Sequence, residues 1–365
     1  MNILIIEPYY TGSHRQWAEG YKKFSRHNIK IISMEGRFWK WRMHGGAITM
    51  AKAFNNLDWK PDCILATDMI DLSTFISLTK DKCYKIPIYI YFHENQLSYP
   101  WSPNDRDLIN NRNEHYGFIN YTSALAADKI FFNSKFHLEI FIKSLKKFLK
   151  QFPDNNELDS IQLINHKSYP IYLGLDYSKF NNIKVKKFRA PLILWNHRWE
   201  YDKNPEEFFL TLKKLKDEEL VFKLAVLGEN FSSSPNIFNK AKKTFKNEIV
   251  HWGYVSHQQE YAKWLHKADI LPVTSNQDFF GISIMEAIYC NTWPILPKRL
   301  AYPELIPKKL HKKFFYENND SLYSMLKWSI NNLDKVRKIN LKTIAAKYDW
   351  TRVSQVYDEI FNKKI

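Results

Sequence analysis

The sequence has few cysteines and no long apolar run. Its three cysteines, Cys63, Cys83 and Cys290, are odd in number and far apart, which supports neither a disulfide framework nor a paired metal-ligand motif and fits a reducing compartment. No stretch approaches the roughly 18 apolar residues of a membrane span. Only four apolar residues lie between Asn2 and Glu7, too few for a signal peptide. We therefore expect a soluble, cytoplasmic protein without stable membrane insertion, with peripheral membrane attachment left open.

Several enzyme motifs are also missing. The P-loop, GxGxxG, HExxH and GxSxG patterns do not occur, so ATPase, dehydrogenase, zinc protease and serine hydrolase activities lack support. No residue stands out as an enzyme nucleophile.

The chain is strongly basic. It has 54 Lys and Arg against 38 Asp and Glu, a formal net charge of +16, which favours polyanionic partners such as nucleic acid or acidic lipid surfaces. Only 11 of these cations are Arg. The Lys excess, accompanied by many Asn and Ile, is equally consistent with a biased composition.

Short apolar runs alternate with helical patterns in both halves of the chain. Its 365 residues suggest two domains, and the alternation predicts an α/β fold with parallel sheets in each. Open sheets of this kind bind ligands beyond the carboxyl ends of their strands. We therefore expect two Rossmann-like domains facing each other across a cleft that holds the chemistry. The predicted strands are 3–6, 63–66, 86–92, 129–133, 192–195, 222–227, 249–252, 269–273 and 293–296.

The stretch NQDFFGISIMEA places two acids around a glycine after the predicted strand 269–273. Gly281 allows close approach of a ligand to the backbone, and a helix beginning near Ile282 would direct free N–H groups at a diphosphate. Glu286, about one turn inside that helix, could accept hydrogen bonds from ribose or sugar hydroxyls. Asp278 has an alternative interpretation as a helix cap.

A basic pair follows the first predicted strand of the second half. Arg198 offers a planar fork for phosphate oxygens, and Lys203 offers a compact charge. Such a pair would stabilise a departing diphosphate. The alternative is two ordinary surface cations at a helix start, which Asn204-Pro205 marks in either case.

Two polar segments of the first half follow predicted strands. Gly12, Ser13 and His14 lie at a strand-to-helix turn whose N–H groups could meet a phosphate. His93, followed by Glu94-Asn95-Gln96, could bind a sugar hydroxyl or move a proton. A structural role for these side chains within their loop stays open.

Two charged segments have simpler interpretations. Asp105-Arg106-Asp107 has the DxD form of metal-dependent sugar-nucleotide enzymes of another fold, but it reads as the acidic first turn of a helix. The Lys-rich region from Phe141 to Lys167 reads as a helix followed by a surface loop. Lys143 to Lys150 within it is a solvated face or, as a weaker hypothesis, a tRNA contact.

Together these motifs resemble the retaining glycosyltransferases of the two-Rossmann-domain type, GT-B, in family 4. That family has an Arg and Lys pair, matched by Arg198 and Lys203, and a Glu-x7-Glu motif. Asp278 and Glu286 match this motif with Asp in place of the first Glu. The shorter side chain puts the donor sugar contact, or activity itself, in question.

A closer resemblance, over nearly the whole chain, is to the tRNA-queuosine α-mannosyltransferase family. It rests on six segments in the same order as that family's landmarks. They are IIEPYYTGSHRQWAEG, FHENQLSYP, INYTSALAADKIFFNSKFH, NHRWEYDKNPEEFF, DFFGISIMEA and RLAYPELIP. The resemblance implies transfer of mannose from GDP-mannose to queuosine in tRNA.

The resemblance also implies roles for single residues. Gly12, Ser13 and His14 would face the donor phosphates, and His93 would contact the transferred sugar. Arg198 and Lys203 would stabilise the leaving diphosphate, which makes a metal unnecessary. Asp278 would hold sugar hydroxyls with the backbone of Phe280, Gly281 and Ile282, while Glu286 would bind the ribose. Glu94, Asn95 and Gln96 would contact the acceptor.

The polar, basic stretch 181–191 is the best linker candidate, the end of the chain has one apolar helical stripe, and the resemblance gives each domain its role. An acceptor-side domain spans 1–180, a linker 181–191 and a nucleotide-sugar domain 192–347. A C-terminal helix, 348–365, packs on the body of the protein, and whether it returns to the first domain stays open.

Other functions remain open from the sequence. The acceptor could be a lipid or polysaccharide precursor at a membrane surface, or the protein could be a sugar-nucleotide epimerase. The chain could also be a non-catalytic sugar-nucleotide or tRNA-binding protein, which would explain why Asp278 replaces the first Glu of the family's motif. The oligomeric state and the particular tRNA are not determined.

Overall fold

The computed structural model describes residues 1–102, 105–229 and 234–362. The chain forms two compact units, the first containing Met1–Leu175 and Trp350–Ile365 and the second Asp176–Asp349. Residues 181–191 group with the second unit, and the functional boundaries given above stay a prediction. In the described parts of the chain, no helix combines the length and apolar character needed to cross a membrane.

The first unit is a parallel sheet with helices between its strands. Its strand order is β2-β1-β3-β4-β5-β6. The strands are β1 (Asn2–Tyr10), β2 (Asn28–Glu35), β3 (Cys63–Thr67), β4 (Ile88–Phe92), β5 (Lys129–Phe132) and β6 (Ser168–Pro170). The helices are α1 (Gly12–Phe24), α2 (Trp39–Asn55), α3 (Leu72–Cys83), α4 (Arg106–Ile109), α5 (Glu114–Ala126), α6 (Lys135–Leu149) and α7 (Ser160–His166).

The second unit repeats this architecture. Its strand order is β12-β11-β10-β7-β8-β9, which corresponds to the Rossmann order 6-5-4-1-2-3 when its strands are counted from β7. The strands are β7 (Leu192–Trp195), β8 (Lys223–Val226), β9 (Ile249–Trp252), β10 (Ile270–Pro272), β11 (Trp293–Pro297) and β12 (Phe315–Tyr316). The helices are α8 (Pro205–Asp217), α9 (Ile237–Thr244), α10 (Gln258–Lys267), α11 (Ile282–Tyr289), α12 (Tyr302–Leu305), α13 (His311–Phe314), α14 (Asn319–Asn331), α15 (Leu333–Lys338) and α16 (Lys342–Ala345). Short 3₁₀ helices span Tyr177–Phe180, Tyr201–Lys203, Lys308–Leu310 and Ala346–Tyr348.

The final helix, α17 (Trp350–Asn362), belongs to the first unit. Asp358, fully buried there, accepts hydrogen bonds from Tyr21 (3.1 Å) and Ser25 (2.6 Å) of the α1 region. The α17 residue Tyr357 accepts one from Trp17 Nε1 (3.1 Å). These contacts attach α17 to α1.

The apolar runs predicted as strands are strands, and the predicted α/β class with two Rossmann-like sheets is confirmed. Three strands were not predicted. β2 alternates in burial as an edge strand, while β6 and β12 have only three and two residues. The predicted surface loop after α6 is partly wrong, because it contains α7, whose Ile164 enters the core of the first unit.

Each sheet has a switch point where the direction of strand addition reverses. In the first unit it lies between β1 and β3, and in the second between β7 and β10. Loops after these strands diverge there and leave room for a ligand. Most of the predicted site residues follow these strands.

Candidate active site

In the first unit, the switch point gathers buried ionisable side chains. Glu7, fully buried in β1, pairs with His14 of α1, with 3.0 Å between Glu7 Oε2 and His14 Nδ1. Asp68, directly after β3, accepts a hydrogen bond from the backbone N–H of His93 at 2.8 Å. The ring centroids of His14 and His93 lie 4.2 Å apart. The structure therefore brings the two predicted histidines together, with two acids that sequence reasoning missed.

The charges of this group are coupled. Burial opposes a charge on His14, but Glu7, Asp68 and Glu94 raise the pKa of His14 to about 9. Burial raises the pKa of Asp68 to about 8. Burial, aided by the charge on His14, holds the pKa of His93 well below its usual value. His14 is therefore the cation of the group, and His93 is neutral.

His93 is prepared to contact a ligand. Both of its ring nitrogens are buried and lack a hydrogen-bond partner among the described residues. A neutral imidazole has one donor and one acceptor, and leaving such groups unpaired costs about 1–3 kcal/mol each. Glu7, His14 and His93 also place metal-ligand atoms within 4.8 Å of one another, although His14 Nδ1 is already engaged by Glu7.

The segment after His93 is partly structural. Asn95 is fully buried, and its Oδ1 accepts hydrogen bonds from the N–H groups of Leu97 (3.1 Å) and Ser98 (2.9 Å). Gln96 Nε2 donates to Glu94 Oε1 at 3.0 Å. Asn95 thus shapes the loop, while Glu94 and Gln96 are half-buried at its surface.

In the second unit, Lys203 connects the predicted basic pair to the predicted acidic motif. Its buried Nζ donates to Gln277 O (2.7 Å) and lies 3.2 Å from Asp202 Oδ2 and 3.8 Å from Asp278 Oδ2. Asn204 caps α8 and Pro205 begins it, which confirms the predicted helix entry. Arg198 lies in the same loop with 48% of its side chain exposed, 3.0 Å from Glu200 Oε2.

The interpretation of Asp278 as a helix cap is wrong. The N-cap of helix α11 is Gly281, which has φ of 93° and offers no side chain to cap the helix. Asp278 Oδ2 instead accepts a hydrogen bond from Tyr302 OH at 3.1 Å. A Cβ atom on Gly281 would lie 3.2 Å from both Ile284 and Tyr302. Glycine is therefore required by both the backbone and the space, and it starts α11 without an N-cap side chain.

Both carboxylate oxygens of Glu286 have partners. Lys179 Nζ lies 2.7 Å from Oε1, and Tyr261 OH donates to Oε2 at 3.0 Å. Because a carboxylate has about four acceptor positions, Glu286 can still accept hydrogen bonds from hydroxyl groups. Lys179 and Tyr261 come from distant parts of the sequence and carry no local motif, so sequence reasoning missed them.

His197, next to Arg198, is another site residue that the sequence did not distinguish. Burial and the charge on Lys203 lower the pKa of His197 to about 3. Its Nε2 is buried without a partner among the described residues, and its Nδ1 lies 3.3 Å from Ser283 Oγ of α11. A neutral imidazole thus joins the loop after β7 to the first turn of α11.

Asp105 and Asp107 behave as the sequence predicted. Asp105 caps the short helix α4 by accepting a hydrogen bond from the N–H of Asp107 at 2.9 Å. Both carboxylates also bind Lys40, each at 2.6 Å. This DxD segment is structural.

Comparison with known proteins gives matches in both units. Residues 2–175 match the family described as tRNA-queuosine alpha-mannosyltransferase N-terminal, and residues 177–343 match the family described as glycosyl transferases group 1. The tRNA-queuosine alpha-mannosyltransferase of Drosophila melanogaster is 31% identical over 381 residues, which cover 100% of this chain and 97% of the relative.

Solved structures share the fold at low sequence identity. Sucrose-phosphate synthase from Thermosynechococcus elongatus is 12% identical, with a TM-score of 0.72 and 100% of both chains covered. The Anabaena protein HepE, in complex with UDP, is 13% identical, with a TM-score of 0.68 and the same coverage. These likenesses confirm the predicted GT-B fold.

Proposed function

The chain belongs to the tRNA-queuosine alpha-mannosyltransferase family and is a glycosyltransferase, and from that premise we propose that it transfers a hexose to queuosine in tRNA. The proposed donor is a nucleotide sugar, GDP-mannose, and the anomeric configuration is retained. A tRNA acceptor assigns the reaction to the cytoplasm.

One observation carries the donor assignment: Lys203, Asp278 and the uncapped start of α11 meet at the switch point of the second unit. A leaving diphosphate gains negative charge as the sugar–oxygen bond breaks. Arg198 and Lys203 offer a bidentate fork and a point charge for that group, and the N–H groups at the start of α11 add a third source of positive potential. Arg198 would exchange Glu200 for a phosphate oxygen.

The remaining residues of the second unit bind the rest of the donor. Asp278, oriented by Tyr302, accepts hydrogen bonds from sugar hydroxyls beside the backbone of Phe280, Gly281 and Ile282. Glu286, held by Lys179 and Tyr261, accepts hydrogen bonds from the ribose.

The first unit supplies a cation and a neutral imidazole. Gly12, Ser13 and the charged His14 face the donor phosphates, and His93 binds a hydroxyl of the transferred sugar through its unpaired nitrogens. Glu94 and Gln96 contact the acceptor, and Asn95 fixes their loop.

The proposed step needs no enzyme nucleophile. The acceptor hydroxyl attacks the anomeric carbon on the face that the diphosphate leaves, so one carbon–oxygen bond forms while another breaks. The acceptor proton moves to a phosphate oxygen of the leaving group. Arg198, Lys203 and α11 supply the positive charge, and the proposal includes no metal ion.

The donor is tested with a panel of nucleotide sugars and queuosine-containing tRNA. We expect nucleotide release only with GDP-mannose and only when the acceptor is present. Release of a different nucleotide would reassign the donor. Turnover of the donor without any acceptor would indicate an epimerase or a hydrolase, and transfer only to a lipid extract would indicate the membrane alternative.

The Asp278→Glu variant tests whether the shorter acid has removed activity. If the chain is an active enzyme, the longer carboxylate changes turnover, because Asp278 lies within 3.8 Å of Lys203 and is fixed by Tyr302. A chain that only binds its ligands would show no turnover in either form.

A further inference from the structure

Two aromatic side chains are exposed shortly after β2, the edge strand of the first unit's sheet. Phe38 and Trp41, at the start of α2, are 69% and 63% exposed. The opposite face of α2 is buried in the core through Met43, Ala47 and Met50. We call Phe38 and Trp41 the aromatic platform. Exposed apolar residues that lie next to one another can mark interaction sites, and these two are the more exposed because the buried face of α2 points away from them.

The backbone holds both rings outward. Phe38 has φ of 55° and ψ of 53°, a left-handed conformation that a bulky side chain adopts only at an energetic cost. The Trp41 indole lies over Gly45, where a Cβ atom would be only 2.7 Å from the ring. The platform is therefore positioned by a strained residue and by a glycine.

Contacts of Trp39 and Lys40 hold the start of α2, which carries the platform, in place. Trp39, between the two exposed rings in sequence, packs against Tyr116 and Trp101, with centroid distances of 5.1 and 5.9 Å. Lys40 binds Asp105 and Asp107 at 2.6 Å each. These contacts fasten α2 to the segment 105–116.

One arginine lies beside the platform, and two more lie on the segment that is bound to Lys40. Arg37 lies 5.6 Å from the centre of the Phe38 ring, and the segment that Lys40 holds carries the exposed residues Arg106 and Arg112. Only 11 of the 54 basic residues are Arg, and three of them lie on these two segments. Arginine planes and aromatic rings are the groups that bind unpaired RNA bases and their phosphates.

The platform adjoins the candidate site of the first unit. Gly36, which precedes Arg37, packs so closely on Thr11 that a Cβ atom would lie 2.2 Å from its side chain. Thr11 begins the turn of Gly12, Ser13 and His14. An RNA strand on the platform would thus be next to the loop assigned to the donor phosphates.

We propose that the aromatic platform stacks on unpaired tRNA bases next to the nucleoside that receives the sugar. This inference rests on the proposed function. An enzyme that acts on a base must reach it outside a base stack, and the neighbouring bases then need a surface to cover their faces. Stacking on one ring changes affinity by about 5- to 150-fold.

The test compares Phe38→Ala/Trp41→Ala with a matched control, Tyr84→Ala. Tyr84 is 73% exposed with Lys85 over its ring at 5.1 Å. It precedes β4, at the amino ends of the strands, whereas the platform follows the carboxyl end of β2. We measure KM and kcat for queuosine-containing tRNA, and the dissociation constants of tRNA and donor. The platform variant should raise the tRNA KM and dissociation constant at least tenfold and leave the donor constant unchanged, while the control should match the wild type.

Four further variants separate stacking from general apolar contact. Phe38→Leu keeps an apolar side chain without a ring and should lose affinity, whereas Phe38→Tyr should keep it. Ile48→Ala removes another exposed apolar side chain of α2, 61% exposed, and should have little effect. Full affinity in Phe38→Leu, or equal losses in Ile48→Ala and Trp41→Ala, would overturn the proposal.

The outcomes distinguish this inference from the proposed function. A wild-type protein that transfers no sugar to queuosine-containing tRNA would contradict the proposed function, and the tRNA dissociation constants would still decide whether the platform binds RNA. A double variant with tRNA affinity within twofold of the wild type would overturn the platform alone. Loss of binding to anionic vesicles with unchanged tRNA affinity would reassign the surface to a membrane.

Discussion

Replacing Arg198 by Ala should separate catalysis from stability. The Arg198 side chain is 48% exposed and its ion pair with Glu200 is partly solvated, so its loss should change the free energy of unfolding by less than about 1 kcal/mol. A preorganised donor to a leaving diphosphate is worth about 2.7–4 kcal/mol in the transition state, or about 10²–10³ in turnover. The loss of transition-state stabilisation, in kcal/mol, should therefore be several times the loss in the free energy of unfolding.

The assay measures turnover at saturating donor and tRNA, with urea unfolding of the same samples. Arg189→Ala is the matched control, because Arg189 is an exposed arginine of the same unit that precedes β7, whereas Arg198 follows the carboxyl end of that strand. It should leave both quantities unchanged. Turnover of Arg198→Ala within threefold of the wild type would remove Arg198 from the reaction, and an equal loss in Arg189→Ala would show that only the overall charge matters.

Three further predictions follow from buried and basic groups. Lys203→Met should lower the free energy of unfolding by about 3–5 kcal/mol, because it takes a buried ammonium from Asp202 and Asp278, and wild-type stability in urea would contradict the contacts described. The pKa of His14 is raised to about 9, so protonated His14 stabilises the folded state. Its contribution to the free energy of unfolding is full below pH 6.5 and is lost as the pH rises through 9. The raised pKa of Asp68, about 8, acts in the same direction, and Glu7→Gln should flatten the decline in urea stability between pH 7 and 9. The affinity for tRNA should fall with salt, with a slope of about 0.7–0.9 per phosphate contact in a logarithmic plot, and a salt-independent affinity would disprove an electrostatic role for the charge of +16.

Much of the fold could be predicted because parallel strands covered on both faces are short apolar runs. The carboxyl ends of such strands also mark where polar residues meet, which is how Lys203 and Asp278 could be expected to lie together. Strands that are very short, or whose residues alternate in burial, contain no such apolar run and cannot be predicted in this way. β12 has two residues, and β2 reads as an edge strand only once its neighbour is known.

The remaining site residues could not be predicted because they depend on partners distant in sequence. From the sequence, Glu7 marks the end of an apolar run, yet it is fully buried in β1, where it pairs with His14. Tyr261 meets Glu286 only through the packing of α10 near α11. The left-handed backbone of Phe38 has no sequence signal, since a bulky residue there is the exception.

The central claim is transfer of a hexose to queuosine, and nucleoside mass spectrometry tests it most directly. The protein is incubated with GDP-mannose and either queuosine-containing or queuosine-lacking tRNA, and the nucleosides are then released and weighed. We predict a mass increase of one hexose on queuosine alone. An unmodified queuosine, or the same increase on tRNA that lacks queuosine, would contradict the account.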